Sequence, residues 1–233
     1  MSAAGNLPKR RHTEVLGELL ALEGSRIVDI GCGSGSLVRA LARRGARMTG
    51  VEPQAARVAE AEAEPRLADE RYLTAGAEAL PLADGSQDAA IFFNSLHHVP
   101  AALMDRALAE AQRVLAADGR LCIVEPLAEG ASYEFGRPID DERAVRAEAY
   151  AALRRAADGP GWRQERELFY DTEVVYADFE AAARDFEKVD PRRAPQIAAI
   201  RSDWEKAFRA LGRETEKGWV FSQPMRANLL VRR

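Results

Sequence analysis

A glycine-rich segment carries the clearest binding chemistry in this sequence. Gly31, Gly33 and Gly35 stand at alternate positions, with Cys32 between the first two, directly after an apolar run typical of a buried strand. Glycine permits a tight turn and lets backbone N–H groups approach a ligand where a β-carbon would collide. Asp29 precedes the turn, and its carboxylate suits a cationic ligand or orders the turn by accepting backbone N–H groups. The segment predicts a ligand-binding turn, with a bare strand-to-helix connection as the alternative.

A second acidic residue stands at the distance that a nucleoside ligand requires. Glu52 follows the next predicted strand, 21 residues after Gly31. An acidic residue in that place accepts hydrogen bonds from both hydroxyls of a ribose. The alternative is a solvated surface glutamate, but the position directly after a strand favours ribose binding.

A nicotinamide dinucleotide would also use the glycine turn and Glu52, so other residues must distinguish it from other nucleoside ligands. The dinucleotide fingerprint has a third glycine where Ser36 stands here. The carboxylate of Asp29 is also unfavourable beside a pyrophosphate at a helix N-terminus. A Tyr-x-x-x-Lys pair is missing downstream. These departures disfavour an NAD(P)-dependent oxidoreductase, which stays open as an alternative.

Four sequence blocks, in the same order and spacing, carry a resemblance to a known family. They cover residues 28–35, 50–53, 75–82 and 88–125. The chain resembles the class I S-adenosylmethionine-dependent methyltransferases of the small-molecule, type 11 kind, strongly over residues 12–126 and weakly elsewhere. The resemblance implies S-adenosylmethionine as cofactor and methyl transfer to a small-molecule acceptor, whether through an O, N or C nucleophile. A catalytically silent cofactor-binding module is a further alternative, because a fold alone does not establish a reaction.

The resemblance also implies roles for particular residues at the methionine end of the cofactor. The glycine turn, with Gly31, Cys32, Gly33 and Gly35, would line the methionine moiety. Asp29 would support that turn.

At the nucleoside end, the resemblance implies contacts from two further loops. Glu52 would hold the ribose hydroxyls, Pro53 would pack near the adenine, and the Ala77 backbone would face the adenine edge. Many relatives have an aspartate that binds the adenine amino group where Gly76 stands here. That hydrogen bond must come from elsewhere, with Glu78 as one candidate, or be absent.

The acceptor side is less defined. The resemblance implies that the chain from Asn94 onwards passes the methionine amino group and the sulfonium. His97 and His98 follow, and we expect only one of them to face the pocket, as a substrate contact, a general base or a structural group. Glu125 and Tyr133 are further acceptor-side candidates, with structural roles as the alternative. We assign no catalytic residue and expect no metal site.

Alternating patterns indicate the elements that must position these residues. Short apolar runs predict strands, and apolar residues at helical spacing predict helices. The predicted strands cover residues 27–30, 47–51, 72–73, 89–93 and about 120–125, with a turn at 118–119. The predicted helices cover about 12–23, 36–45, 54–64 and 103–115. This alternation predicts a doubly wound parallel α/β sheet that binds ligands beyond the carboxyl ends of its strands.

The pattern changes after residue 126. We predict a helix at about 138–157, a strand at 168–176, an amphipathic helix at 197–211 and a strand at 225–231 that begins near Pro224. The expected fold is therefore a Rossmann-like seven-stranded sheet, mostly parallel with an antiparallel last strand, helices on both faces and helical cap insertions. We expect one methyltransferase domain over residues 1–233, with its core at about 12–126 and 219–233 and cap segments at 127–165 and 177–215.

Composition excludes several classes of protein. The 233 residues have a formal net charge of −4, which argues against attraction to nucleic acid or anionic membranes. No apolar run approaches the roughly 18 residues of a membrane span, and the first nine residues lack a signal core. The two cysteines make neither a disulfide framework nor a four-thiolate zinc site. We expect a cytoplasmic monomer or homodimer that acts on a small molecule.

Overall fold

The computed structural model describes residues 7–233, and the chain packs there as two compact units. The larger unit comprises residues 11–125, 145–168 and 226–233. The smaller unit comprises residues 7–10, 126–144 and 169–225. The expectation of one domain with two cap segments stays a prediction.

The described residues form eight strands and eight α-helices. The strands are β1 Arg26–Ile30, β2 Arg47–Glu52, β3 Arg71–Thr74, β4 Gln87–Phe93, β5 Leu115–Pro126, β6 Trp162–Tyr176, β7 Arg213–Thr215 and β8 Gly218–Arg232. The helices are α1 His12–Leu19, α2 Ser36–Ala42, α3 Ala55–Ala63, α4 Ala101–Val114, α5 Ala131–Gly136, α6 Arg143–Asp158, α7 Phe179–Val189 and α8 Ala194–Leu211. Within residues 7–233, no helix is both long enough and apolar enough to cross a membrane.

The strands form one sheet whose order confirms the doubly wound prediction. The order is β3-β2-β1-β4-β5-β8-β6, and β7 pairs with β8 in antiparallel fashion outside this path. Strands β1 to β5 are mutually parallel, so Ile30 at the end of β1 lies between Val51 of β2 and Phe92 of β4. Their carboxyl ends therefore meet at one edge, which is where the predicted ligand-binding residues follow.

The larger unit is built around the apolar faces of the sheet and of α4. Strand β1 is buried from its second residue to its last because both faces of a parallel sheet are covered. One side of α4 is buried at intervals of three and four residues, as predicted. These buried residues of α4 are Met104, Ala107, Leu108, Ala111 and Val114.

The smaller unit has an aromatic core. Trp204 of α8 stacks on Phe135 with ring centroids 4.7 Å apart, and its indole N–H donates a 2.7 Å hydrogen bond to the Phe135 carbonyl. Ile197 and Phe208 are also buried in this core. The apolar stripe of α8 therefore serves core packing, because its buried members all contact this cluster.

Some predicted boundaries were wrong. Helix α1 ends at Leu19, well before residue 23. Strand β8 begins at Gly218 rather than near Pro224. Proline lacks an N–H to donate, but the Pro224 carbonyl still accepts a 2.8 Å hydrogen bond from the Leu127 N–H, so the strand continues through this residue. The turn predicted at residues 118–119 is instead an irregularity within β5, where the register with β4 shifts.

The region after residue 126 differs most from the prediction. The helix expected at about 138–157 is α6, which begins only at Arg143, and the short helix α5 before it was not predicted. Helix α7 was not predicted, although Asp178 caps it by accepting a 2.7 Å hydrogen bond from the Ala181 N–H. The short strand β7 was also missed, and it raises the predicted strand number from seven to eight within the described residues.

Candidate functional site

The glycine turn leaves β1 in a conformation that requires its glycines. Gly31, Gly33 and Gly35 have φ values of 80°, 55° and 79°, in the left-handed region that other residues rarely adopt. The N–H groups of Gly31 and Cys32 both donate to the Val51 carbonyl, at 2.7 and 3.1 Å. The turn is therefore anchored to the end of β2, beside the predicted ribose acceptor.

The turn is also packed closely against its neighbours. A β-carbon on Gly31 would lie 2.6 Å from that of Ser95, and one on Gly35 would lie 2.6 Å from the Tyr72 ring. A β-carbon on Gly50 of β2 would lie 2.7 Å from the Cys32 sulfur. The Cys32 side chain therefore packs inward against the sheet, where burial raises the pKa of its thiol. Of this residue, the backbone is the part suited to line a ligand.

Glu52 joins the turn to the loop after β2. Its side chain is buried, with Oε2 accepting a 3.0 Å hydrogen bond from the Gly33 N–H and Oε1 accepting a 3.1 Å bond from the Gln54 N–H. A carboxylate has about four lone-pair sites, so these two bonds leave acceptor capacity for a diol. Pro53, the predicted adenine contact, is exposed directly after it.

Asp29 is a buried carboxylate with incomplete hydrogen bonding. It is 1% exposed, and its Oδ1 accepts no hydrogen bond from the described residues. Burial, and then the charge of Glu52, raise the pKa of Asp29 to about 7. Buried polar atoms are normally satisfied, so this oxygen is suited to a donor or cation supplied by a ligand.

The loop after β4 holds a strained residue at the same edge. Asn94 has a φ of 52° and is the one non-glycine residue with positive φ in the described chain. Its N–H donates to the Val124 carbonyl at 2.8 Å, while its buried Oδ1 accepts no hydrogen bond within residues 7–233. Ser95 then donates its hydroxyl to the Ile30 carbonyl at 2.6 Å, which fastens this loop to the end of β1. Strain of this kind clusters at functional sites.

His97 and Glu125 form a buried pair after β4 and at the end of β5. The His97 Nδ1 hydrogen-bonds Glu125 Oε2, and Glu125 Oε1 accepts a 2.9 Å bond from the Leu96 N–H. Both side chains are less than 5% exposed, whereas His98 is exposed. One of the two consecutive histidines is therefore buried, and which of them faces the pocket stays a prediction.

A third histidine, which the sequence analysis did not single out, lies at the same edge. The His12 ring packs edge-on against Phe93 with centroids 4.7 Å apart, and burial lowers the pKa of His12 to about 4. In the sequence, His12 is marked only by its place at the start of an amphipathic helix. That place does not predict a contact with a strand end 81 residues later.

The loop after β3 carries Ala77 and Glu78. It begins beside Glu52, since the Ala75 N–H donates to the Glu52 carbonyl at 3.2 Å. The Glu78 carboxylate lies against Gly76, where a β-carbon would be 2.5 Å from Oε2. The Glu78 carboxylate therefore occupies the space that a side chain at position 76 would fill, and its role at the cofactor stays a prediction.

Tyr133 lies in the smaller unit, on α5. Its hydroxyl donates a 2.5 Å hydrogen bond to Asp141, and Arg143 lies over the ring at 5.2 Å from the centroid. Burial and the Asp141 carboxylate raise its pKa. Its role as a substrate contact stays a prediction.

Part of this chain is similar to known methyltransferases. A family model described as a methyltransferase domain matches residues 28–123. A demethylmenaquinone methyltransferase of Thermus thermophilus is 38% identical over 112 residues, which are 46% of this chain and 50% of that protein. An uncharacterized methyltransferase of Mycobacteroides abscessus is 42% identical over 86 residues, which are 36% of this chain and 33% of that protein. The chain thus spans half or less of the length of these relatives.

Solved structures agree on the fold. A structure assigned as a methyltransferase from Bacillus halodurans has a TM-score of 0.61 at 17% identity and covers 95% of this chain and 98% of its own. The [4+2]-cyclase SpnF has a TM-score of 0.59 at 22% identity and covers 92% of this chain and 79% of its own. Residues 28–123 are thus similar to a methyltransferase domain, and the fold is that of these solved structures. The matched residues include the glycine turn, Glu52, the loop after β3 and His97, whereas Glu125 lies just beyond them.

Proposed function

We propose that the chain binds S-adenosylmethionine at the carboxyl edge of β1, β2 and β4 and transfers its methyl group to a small-molecule acceptor. The observation that carries this proposal is the junction between the glycine turn and Glu52. The Gly33 N–H and the Glu52 carboxylate meet there at 3.0 Å, just after β1 and at the end of its parallel neighbour β2. A nucleoside whose ribose binds Glu52 has its 5′ substituent beside the turn.

The charges at this junction favour a cationic 5′ substituent. Asp29 and Glu52 are both buried, and their charges interact unfavourably. A pyrophosphate would add negative charge to this pair, whereas the sulfonium and ammonium groups of S-adenosylmethionine would offset it. The partnerless oxygens of Asp29 and Asn94 are suited to accept hydrogen bonds from the ammonium group. The same reasoning disfavours a nicotinamide dinucleotide.

When bound, the cofactor supplies an electrophilic methyl group. The work of the protein is then to hold the nucleoside and to present the acceptor in line with that methyl group. Glu52 holds the ribose, Asp29 balances positive charge, and the turn lets backbone N–H groups reach the ligand. We place the acceptor on the β4 and β5 side, beside His97. Glu125 orients the His97 ring, because it binds Nδ1 and so directs Nε2 away from itself.

The names of relatives bear on the acceptor. The demethylmenaquinone methyltransferase and a ubiquinone biosynthesis O-methyltransferase of Alkalilimnicola ehrlichii act, by name, in quinone chemistry. A Diels-Alderase of Talaromyces variabilis, 36% identical over 125 residues, is named as dependent on S-adenosyl-L-methionine. Its name makes a cofactor-binding protein without methyl transfer the second candidate. We propose no nucleic-acid or membrane partner, and a monomer or homodimer in the cytoplasm.

Calorimetric titration with S-adenosylhomocysteine, and separately with NADH, tests the proposal. We expect micromolar binding of S-adenosylhomocysteine and no NADH signal. Glu52→Ala should weaken binding at least tenfold, whereas Glu62→Ala, at an exposed position on α3, should leave it unchanged. Urea unfolding of both variants separates lost binding from lost folding.

Binding of NADH without S-adenosylhomocysteine would refute the proposal and support the oxidoreductase. Tight S-adenosylhomocysteine binding without methylation of any acceptor in a quinol, phenol and amine panel would support the second candidate.

A further inference from the structure

A cavity of about 540 Å³ lies in the larger unit, at the amino ends of β1 to β4. Parallel strands have all their amino ends at one edge of the sheet, so this cavity is at the edge opposite the glycine turn and Glu52. Its volume is within the range of small-molecule sites, roughly 300–1,000 Å³. The proposed methyl transfer makes no use of this edge.

Three arginines line the cavity from the first residues of neighbouring strands. Arg26 begins β1 and pairs in register with Arg47, which begins β2. Arg71 begins β3 and pairs in register with Thr49. Neighbouring strands are only about 4.8 Å apart, so like charges at their first residues repel one another. An anion bound in the cavity would relieve this repulsion.

The three guanidinium groups differ in how much of their hydrogen-bonding capacity is already used. Arg26 is bound twice by Asp88, with Nη2 2.6 Å from Oδ1 and Nε 3.1 Å from Oδ2. Arg71 donates its Nε–H to Thr49 Oγ1 at 3.0 Å, which leaves its terminal N–H groups for a ligand. Arg47 forms no ion pair or side-chain hydrogen bond within residues 7–233. Arg47 and Arg71 are therefore the two cations available to a bound anion.

A buried amide in the same cavity needs a hydrogen-bond donor. Gln87 lines the cavity and is 4% exposed. Its Nε2 donates to the carbonyl and the hydroxyl of Ser86, both at 3.0 Å, but its buried Oε1 accepts no hydrogen bond from the described residues. Buried polar atoms are normally satisfied, so a hydroxyl group of a ligand in the cavity would complete this site. The exposed carboxylate of Asp69 is a further acceptor on the cavity wall.

We propose that this cavity binds a phosphorylated polyol, with the phosphate on Arg47 and Arg71 and a hydroxyl group on Gln87 Oε1. A phosphate monoester has three terminal oxygens and a charge between about −1.5 and −2, so it can accept hydrogen bonds from two guanidinium groups and match their charge. A carboxylate offers only two oxygens and one charge. The site is separate from the proposed methyl transfer and does not depend on it.

Calorimetry with three probes tests this proposal: glucose 6-phosphate, inorganic phosphate and glucose. Each titration is run at one low ionic strength with saturating S-adenosylhomocysteine, and is repeated with Glu52→Ala, so that binding at the cofactor edge is recognised. We expect glucose 6-phosphate to bind about tenfold more tightly than inorganic phosphate, because only the former also reaches Gln87. Glucose alone should give no signal.

Variants of the cavity wall separate the two parts of the site. Arg47→Ala and Arg71→Ala should each weaken the binding of both phosphates about tenfold, because each removes charge-assisted hydrogen bonds. Gln87→Met keeps the length of the side chain without its amide, so it should abolish the preference for glucose 6-phosphate and leave inorganic phosphate unchanged. Arg43→Ala, at an exposed position outside the cavity lining, is the matched control and should bind like the unmodified protein. Urea unfolding of every variant checks that it is folded.

Three results would overturn the proposal. They are the absence of phosphate binding, equal binding by Arg47→Ala, Arg71→Ala and the control, and a preference for glucose 6-phosphate that survives Gln87→Met. Loss of binding in Glu52→Ala would place the probes at the cofactor edge and overturn it as well. S-adenosylhomocysteine binding is measured separately and should be unchanged in Arg47→Ala, so failure of the proposed function is distinguished from failure of this inference.

Discussion

Replacing Asp29 by asparagine should make the ligand-free protein more stable at neutral pH. Burial and the charge of Glu52 raise the pKa of Asp29 from 3.8 to about 7. The unfolded chain therefore releases this proton near pH 4, whereas the folded protein keeps it until near pH 7. Between these values the unfolded state binds fewer protons, so the stability contributed by Asp29 falls as the pH rises.

The size of this effect follows from the same two pKa values. One pKa unit corresponds to about 1.4 kcal/mol, so ionised Asp29 costs the folded protein about 4 kcal/mol above pH 7. At pH 5 the cost is only about 2 kcal/mol. The difference in unfolding free energy between Asp29→Asn and the unmodified protein should therefore grow by about 3 kcal/mol from pH 5 to pH 8.

Urea unfolding at unit pH intervals from 5 to 8 measures this difference. Any cost of burying the asparagine amide does not depend on pH, so it cancels in the comparison between the two ends of the range. Asp118→Asn, the same chemical change at an exposed position, is the matched control. A difference that stays constant, or that shrinks as the pH rises, would show that Asp29 is not a strained buried carboxylate.

Two further perturbations act on the frame of the site, and both are measured by urea unfolding. Gly31→Ala should destabilise the protein by roughly 3–5 kcal/mol, because it combines a left-handed φ of 80° with a collision against the loop after β4. Gly24→Ala has a similar φ of 75° with nothing within 4 Å, so it should cost only about 1–2 kcal/mol, and equal losses would contradict the collision. Glu125→Ala should cost about 3 kcal/mol, because it removes the acceptor of both the Leu96 N–H and His97 Nδ1. Glu125→Gln keeps an acceptor for the Leu96 N–H and should cost clearly less, and a loss as large as that of alanine would argue against this hydrogen bond.

The meeting of the glycine turn and Glu52 at one edge of the sheet was predictable because its signals are local. The glycine turn and Asp29 lie within seven residues of one another, and Glu52 ends the very next strand. A parallel sheet brings such strand ends to one edge whatever the details of packing. The doubly wound arrangement and the covered faces of the sheet followed from the same alternation of elements.

Features that depend on contacts distant in sequence were not predictable. The pairing of His97 with Glu125 requires β4 and β5 to lie side by side in one register. The sequence indicates only that each of the two residues lies near the end of a strand. The approach of His12 to Phe93 joins an N-terminal helix to a strand end. Helix α7 was not predicted because its capping residue, Asp178, is one of several acidic residues in this stretch of the sequence. It therefore does not stand out as a helix start.

The place of β8 in the sheet has a consequence for biosynthesis. This strand follows β6 in the sequence, yet it lies between β5 and β6 in the sheet. Until β8 has left the ribosome, β5 is an edge strand whose unpaired N–H and C=O groups can pair with other chains. Over the same period β6 has no neighbouring strand with which to pair. Nascent chains that stop before residue 218 should therefore resemble an unfinished sheet, prone to aggregation and dependent on chaperones, even though the glycine turn and Glu52 are already complete.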